Sequence, residues 1–117
     1  MQNPNQLNND GIFFAQNGDY KKAISCFKKA IEIKNDNPIF WLNLGITYRD
    51  FNKIDLAIEA TLQAHKLDLQ NHEIANTLVQ LFINNGELER ATDLCQKILA
   101  ADEKKSKTWN LLGVIYF

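Results

Sequence analysis

The feature that most restricts this chain is a pattern that returns every 34 residues. Trp41, Leu44, Gly45 and Tyr48 stand at i, i+3, i+4 and i+7, one face of an α-helix. Trp109, Leu112, Gly113 and Tyr116 repeat it 68 positions later, and Ala75, Leu78, Val79 and Phe82 fall halfway between. Leu7, Asp10, Gly11 and Phe14 lie one interval upstream. Glycine costs a helix interior about 1 kcal/mol against alanine, so a glycine among large residues calls for a second helix pressed against the backbone there. A fixed period of this length means stacked units, each burying its apolar face against the next.

Start and stop signals divide each unit into two helices. Asn3-Pro4 and Asn37-Pro38 pair a capping asparagine with a proline at the first helical position. Asn17-Gly18-Asp19 breaks the first helix, and Asp19 can cap the next; Asn52 and Gly86 stand at the places equivalent to Gly18. The spacing predicts helices over about 4–16, 20–34, 38–51, 54–67, 72–84 and 88–101, then a last one over 106–117. The helix from Tyr20 sets Ala23, Ile24, Phe27, Ala30 and Ile31 on one side and Lys21, Lys22, Lys28 and Lys29 on the other, an amphipathic pattern. Ala23, Ala57 and Ala91 recur 34 apart where two helices must approach closely.

These residues resemble the tetratricopeptide repeat family, whose pattern is W-x2-L-G-x2-Y, then A-x3-F, then P. The second unit carries Trp41, Leu44, Gly45, Tyr48 and Ala57, with Thr61 in place of the aromatic and Leu69 in place of the proline. The first carries Gly11, Phe14, Ala23, Phe27 and Ala30, and departs at Asp10 and Asn35; the third has Ala75 for tryptophan and Cys95 for the aromatic. The resemblance implies an all-α solenoid of antiparallel helix pairs over 1–117, with repeats at about 4–37, 38–71 and 72–105 and a partial fourth at 106–117.

Charge and chemistry narrow the function. Thirteen basic and 14 acidic side chains give a net charge of −1, which lacks the basic excess of a nucleic-acid footprint. No apolar run reaches the length of a membrane span, and the N-terminus lacks the charged and apolar regions of a signal peptide. A soluble, cytoplasmic protein is expected. Cys26 and Cys95 are expected as buried, reduced thiols. His65 and His72 lack the i, i+4 spacing of a helical metal site and read as surface residues. Every glycine is accounted for by the repeat, so none forms a phosphate loop. An enzyme is not expected, nor a cofactor or metal.

The two ends differ. Asp10 replaces the leucine of the other units, which suits a solvated first unit with a true N-terminus before it. The segment Trp109 to Phe117 is strongly apolar with no following helix, so the chain reads as cut from a longer array, with self-association through that segment as the alternative. Trp41 is expected to be sandwiched between the first and second units, its loss costing about 3–5 kcal/mol.

In the resembled family the first helices of the units line a concave groove that binds peptides. The positions that this implies are Asn8, Asn9, Ile12 and Gln16; Leu42, Asn43, Ile46, Arg49 and Asp50; Asn76, Thr77, Gln80, Ile83 and Asn84; and Asn110, with Leu111 and Val114 beside it. Asn9 and Asn43, 34 apart, resemble part of the asparagine ladder of the O-GlcNAc transferase superhelix. Side-chain amides both donate and accept, so an extended peptide held by its backbone is the expected ligand, and Asn43 is expected to be dispensable for folding. The positions of the family's carboxylate clamp hold Asn8, Ile12, Asn43, Glu73 and Thr77, and only Asn43 fits it. The expected function is a non-catalytic protein–protein interaction module of a longer scaffold. The alternatives are the substrate-recruiting arm of a larger enzyme such as a glycosyltransferase, or a self-assembling array.

Overall fold

Three asparagines one period apart start three of the helices. Asn3 Oδ1 accepts from the Asn5 amide at 2.8 Å, Asn37 Oδ1 from the Ile39 amide at 3.0 Å, and Asn71 Oδ1 from the Ile74 amide at 3.2 Å. Each satisfies an amide that its helix leaves without an internal partner. The computed structural model describes residues 3–101, which form α1 (Pro4–Gln16), α2 (Tyr20–Ile33), α3 (Pro38–Asp50), α4 (Ile54–Leu67), α5 (His72–Asn84) and α6 (Leu88–Ala101). The helix expected over 106–117, with Trp109, Asn110, Leu111, Val114 and the apolar end at Phe117, lies outside the described residues.

The turn inside each helix pair is built the same way three times. Gly18, Asn52 and Gly86 take φ of 79°, 62° and 77°, the left-handed region that glycine enters freely and asparagine tolerates. The next residue then reaches back to the helix it has just left. Asp19 N–H donates to Phe14 O at 2.9 Å, Lys53 N–H to Tyr48 O at 2.8 Å, and Glu87 N–H to Phe82 O at 2.8 Å. This closes off the exposed carbonyls of the helix end and turns the chain back on itself. Asp19 serves both helices, since its side chain also accepts from the Lys22 amide at 3.3 Å.

The chain divides into two compact units, 1–68 and 69–117. In the first, α1 packs on α2, α2 on α3, α3 on α4, and α1 also touches α3. Contact with three helices wraps α3 in buried positions: Phe40, Leu42, Leu44, Gly45, Thr47 and Tyr48. Phe40 joins Leu7 of α1 and Ala30 of α2 in one apolar cluster, with Ile31 against it. In the second unit α5 packs on α6; Ile74, Leu78, Val79 and Phe82 of α5 and Ala91, Leu94, Cys95 and Ile98 of α6 are buried. The described residues are all-α helix pairs with no strand among them. Ala23, Ala57 and Ala91 are wholly buried, as their spacing predicts.

Several side chains sit differently from their sequence expectation. Trp41 is half-buried rather than sandwiched, and its indole N–H donates to Asn35 O at 2.9 Å. Its loss should therefore cost less than that of a fully enclosed aromatic. Cys26 is half-buried while Cys95 is buried, and His65 and His72 are half-buried rather than exposed. Asp10 is half-buried too, and its Oδ1 accepts from Gln6 Nε2 at 2.9 Å.

In the first two pairs the contact that sets the helix spacing runs through the glycine. A Cβ at Gly11 would stand 2.6 Å from a ring carbon of Phe27, which is 1% exposed. The equivalent pair one period on is Gly45 and Thr61: a Cβ at Gly45 would collide with Thr61 Oγ1 and lie 3.2 Å from Ala57 O. Thr61 Oγ1 is held in place by donating to that same Ala57 carbonyl at 2.8 Å. Gly45→Ala is expected to destabilise the chain by about 1–3 kcal/mol in urea unfolding, as overpacking of a filled core does. Thr61→Ala removes the obstructing hydroxyl, so the double variant should lose clearly less than the sum of the single changes. Strict additivity would mean the two side chains do not share this space.

Candidate functional site

Part of the groove expected from sequence falls on the exposed side of α1 and α3 in the first unit. Asn9 and Gln16 are exposed and Ile12 is half-buried on α1; on α3, Ile46 and Arg49 are half-buried and Asp50 is exposed. Between the helices Asn43 Nδ2 donates to Asn8 Oδ1 at 2.9 Å. Asn8 is only 8% exposed, so this bridge lies at the base of the face. The Asn43 backbone carbonyl in turn accepts from Thr47 Oγ1 at 2.7 Å. At the far end of α3, Arg49 Nε lies 3.2 Å from Asp50 Oδ1, and the two charges answer each other.

Leu42 does not line this face. It is 3% exposed, because contact with three helices leaves α3 more than one packed side, and its second apolar row is core as well as surface. The amide bridge went unseen in the sequence because it joins positions 35 apart, not 34. Comparing equivalent positions pairs Asn9 with Asn43, whereas the atoms pair Asn8 with Asn43.

On α5, Gln80 and Asn84 are exposed and Asn76, Thr77 and Ile83 are half-buried. Thr77 Oγ1 donates to Glu73 O of its own helix at 2.8 Å, which uses its hydroxyl proton. Asn76 Oδ1 is buried without a hydrogen-bond donor among the described residues. Glu73 projects into solvent beside Thr77 with its carboxylate exposed. Asn110 lies outside the described residues.

Nothing in the described residues assembles a reactive centre. Burial pushes the Cys95 thiol up from its ordinary value, and burial together with the Asp10 charge does the same for Cys26, so both stay protonated and weakly nucleophilic. Among the described residues no group of three His, Cys, Asp or Glu side chains could hold a metal. No helix among them is long and apolar enough to cross a membrane. What the α1 and α3 face offers is amide donors and acceptors flanked by two isoleucines.

Known proteins share this arrangement of helices. A family model described as TPR repeat matches residues 13–50. A TPR repeat-containing protein of Methanocaldococcus jannaschii is 32% identical over 103 residues, covering 88% of this chain and 18% of its own length. A peroxisomal targeting signal receptor of Candida albicans is 34% identical over 71 residues, 55% of this chain and 12% of the receptor. The chain thus spans less than a fifth of either relative. Among solved structures, the first TPR of Spaghetti (RPAP3) bound to the HSP90 peptide SRMEEVD has a TM-score of 0.85 at 20% identity, covering 97% of this chain and 90% of that one.

The amide bridge changes what is expected of Asn43. Asn43→Ala strips the donor from a nearly buried acceptor on Asn8, which costs about 1–3 kcal/mol, so the variant is not silent in folding. Removing both amides together, Asn8→Ala with Asn43→Ala, should cost less than the two single losses combined. Chemical denaturation of the four proteins measures the coupling; a value near zero would mean the bridge does not form in solution.

Proposed function

Because the chain belongs to the tetratricopeptide repeat family, we propose that it is a non-catalytic protein-interaction module holding an extended, uncharged peptide segment against the exposed face of α1 and α3. In this reading the repeats at 4–37, 38–71 and 72–105 and the partial one at 106–117 form one array within a longer scaffold protein. The observation that carries it is the chemistry of that face: its polar groups are amides, and its charges, Arg49 and Asp50, are paired with each other. Amides can meet peptide N–H and C=O groups at once, and Ile12 and Ile46 offer apolar contact to alternate side chains. The α5 residues Asn76, Gln80 and Asn84 are further amides of the same kind on the first helix of the next repeat. The Spaghetti domain of the same fold holds a peptide, which supports peptide capture as the mode.

The peptide held there ends in acidic residues, and this chain is a poor match for such a ligand. The positions of the family's carboxylate clamp carry Asn8, Ile12, Asn43, Glu73 and Thr77. The Asn43 amide is turned to Asn8, the Thr77 hydroxyl to its own helix, and Glu73 would repel a carboxylate.

Two binding measurements check this reading. The peptide SRMEEVD should bind no tighter than about 1 mM in calorimetry; micromolar binding lost on amidating its C-terminus would contradict it. Neutral peptides selected from an unbiased display library should bind through the α1 and α3 face. Asn9→Ala and Ile46→Ala should then weaken them about five- to hundredfold, each change removing roughly 1–3 kcal/mol. Lys21→Ala and Lys29→Ala, exposed on α2, should leave affinity unchanged; the reverse pattern would move the site to the other side of the unit.

A further inference from the structure

On the other side of the first unit, α2 and α4 stand apart over α3 and leave an open trough of about 640 Å³. Its floor is Trp41, Leu44 and Tyr48, and its walls add Ile31 from α2 and Leu56 and Ala60 from α4. Leu56 is 42% exposed and Trp41 is half-buried, so large apolar side chains are presented there. The Trp41 indole N–H is already spent on Asn35 O. The backbone groups of both walls are satisfied inside their own helices, so the trough offers no ladder to a foreign chain.

Those facts select the occupant's backbone. A peptide lying extended in the trough would find no backbone partner on either wall for the N–H and C=O groups it turns inward. A helix meets its backbone needs internally and can bury a stripe of side chains at i, i+3, i+4 and i+7. The rims select its charge. Connected through α3 by short turns, α2 and α4 run in the same direction. Along that direction α2 carries Lys28 and then Glu32, while α4 carries Glu59 and then Lys66. All four are exposed, and none is in an ion pair among the described residues. Lys28 leans inward, its Nζ 5.9 Å from the Tyr48 ring centroid.

We infer that this trough is a docking site for an amphipathic α-helix of a partner protein, one that carries both signs of charge beside its apolar stripe. Its edge along α2 places an acid against Lys28 and a base against Glu32. Its edge along α4 places a base against Glu59 and an acid against Lys66. A uniformly basic or uniformly acidic helix is disfavoured, since half of each rim would repel it. The site is separate from the α1 and α3 face and calls for the opposite ligand conformation, so each stands or falls independently.

The test selects peptides about 16 residues long, enough to lie along the 14-residue α2 and α4, from one helix-stapled and one unrestricted display library on the intact 117-residue chain. Binding of each enriched peptide is then compared across variants. Leu56→Glu changes an exposed position, so its melting curve should match the parent. The expected result is a set of helical peptides with the stripe described, weakened about tenfold or more by Leu56→Glu and unaffected by Ile46→Ala. The exchange Lys28→Glu with Glu32→Lys should weaken them as well, and swapping the matching peptide charges should restore binding. Three outcomes overturn the inference: no enriched peptide depends on Leu56; the dependent peptides carry proline within the stripe; or the chain alone forms a dimer that Leu56→Glu abolishes, which gives the trough to a second copy.

Discussion

In the first two helix pairs a glycine of the first helix is met by a side chain of the second, and that contact sets how closely the helices approach. In the first pair a ring, Phe27, lies where a Cβ on Gly11 would be. In the second, the smaller Thr61 is pinned by its hydrogen bond to Ala57 O and still fills the space above Gly45. In the third the equivalent positions are Val79 and Cys95, both wholly buried. Thr61, a departure from the aromatic of the family pattern, is therefore coupled in space to Gly45.

That coupling also explains which parts of the fold could be read beforehand. The capping asparagines, the left-handed turn positions at Gly18, Asn52 and Gly86, and the buried alanines depend on local chemistry that recurs with the period, so sequence alone places them. Burial around α3 is different. Its sides are decided by how many helices surround it, and this is why Leu42 is core and Trp41, the family's most conspicuous residue, is half open. The Asn8–Asn43 bridge was hidden for a related reason, since side chains reach diagonally across helices while a repeat aligns only equivalent positions. The trough between α2 and α4 leaves no pattern of its own, because its floor uses the same residues that mark the repeat.

The first unit consequently presents two faces of unlike chemistry. One offers amides and paired charges, which suit a ligand whose backbone still needs hydrogen bonds. The other offers apolar surface between charged rims, which suits a ligand whose backbone needs none. A module with both can join two segments of different conformation without either competing for the same atoms, and Asn9, Ile12 and Ile46 on one side share no residue with Trp41, Leu56 and Lys28 on the other.

The reading of the α1 and α3 face as the seat of an extended peptide, held through its amides, is open to direct observation. The side-chain amide signals of the exposed Asn9 and Gln16 report this directly by nitrogen–proton correlation NMR, with Trp41's indole signal as an internal reference for the opposite side. Titration with a neutral extended peptide should shift both amides along one saturation curve while the Trp41 indole stays still. Static amides with a moving indole, at full occupancy of the peptide, would contradict it.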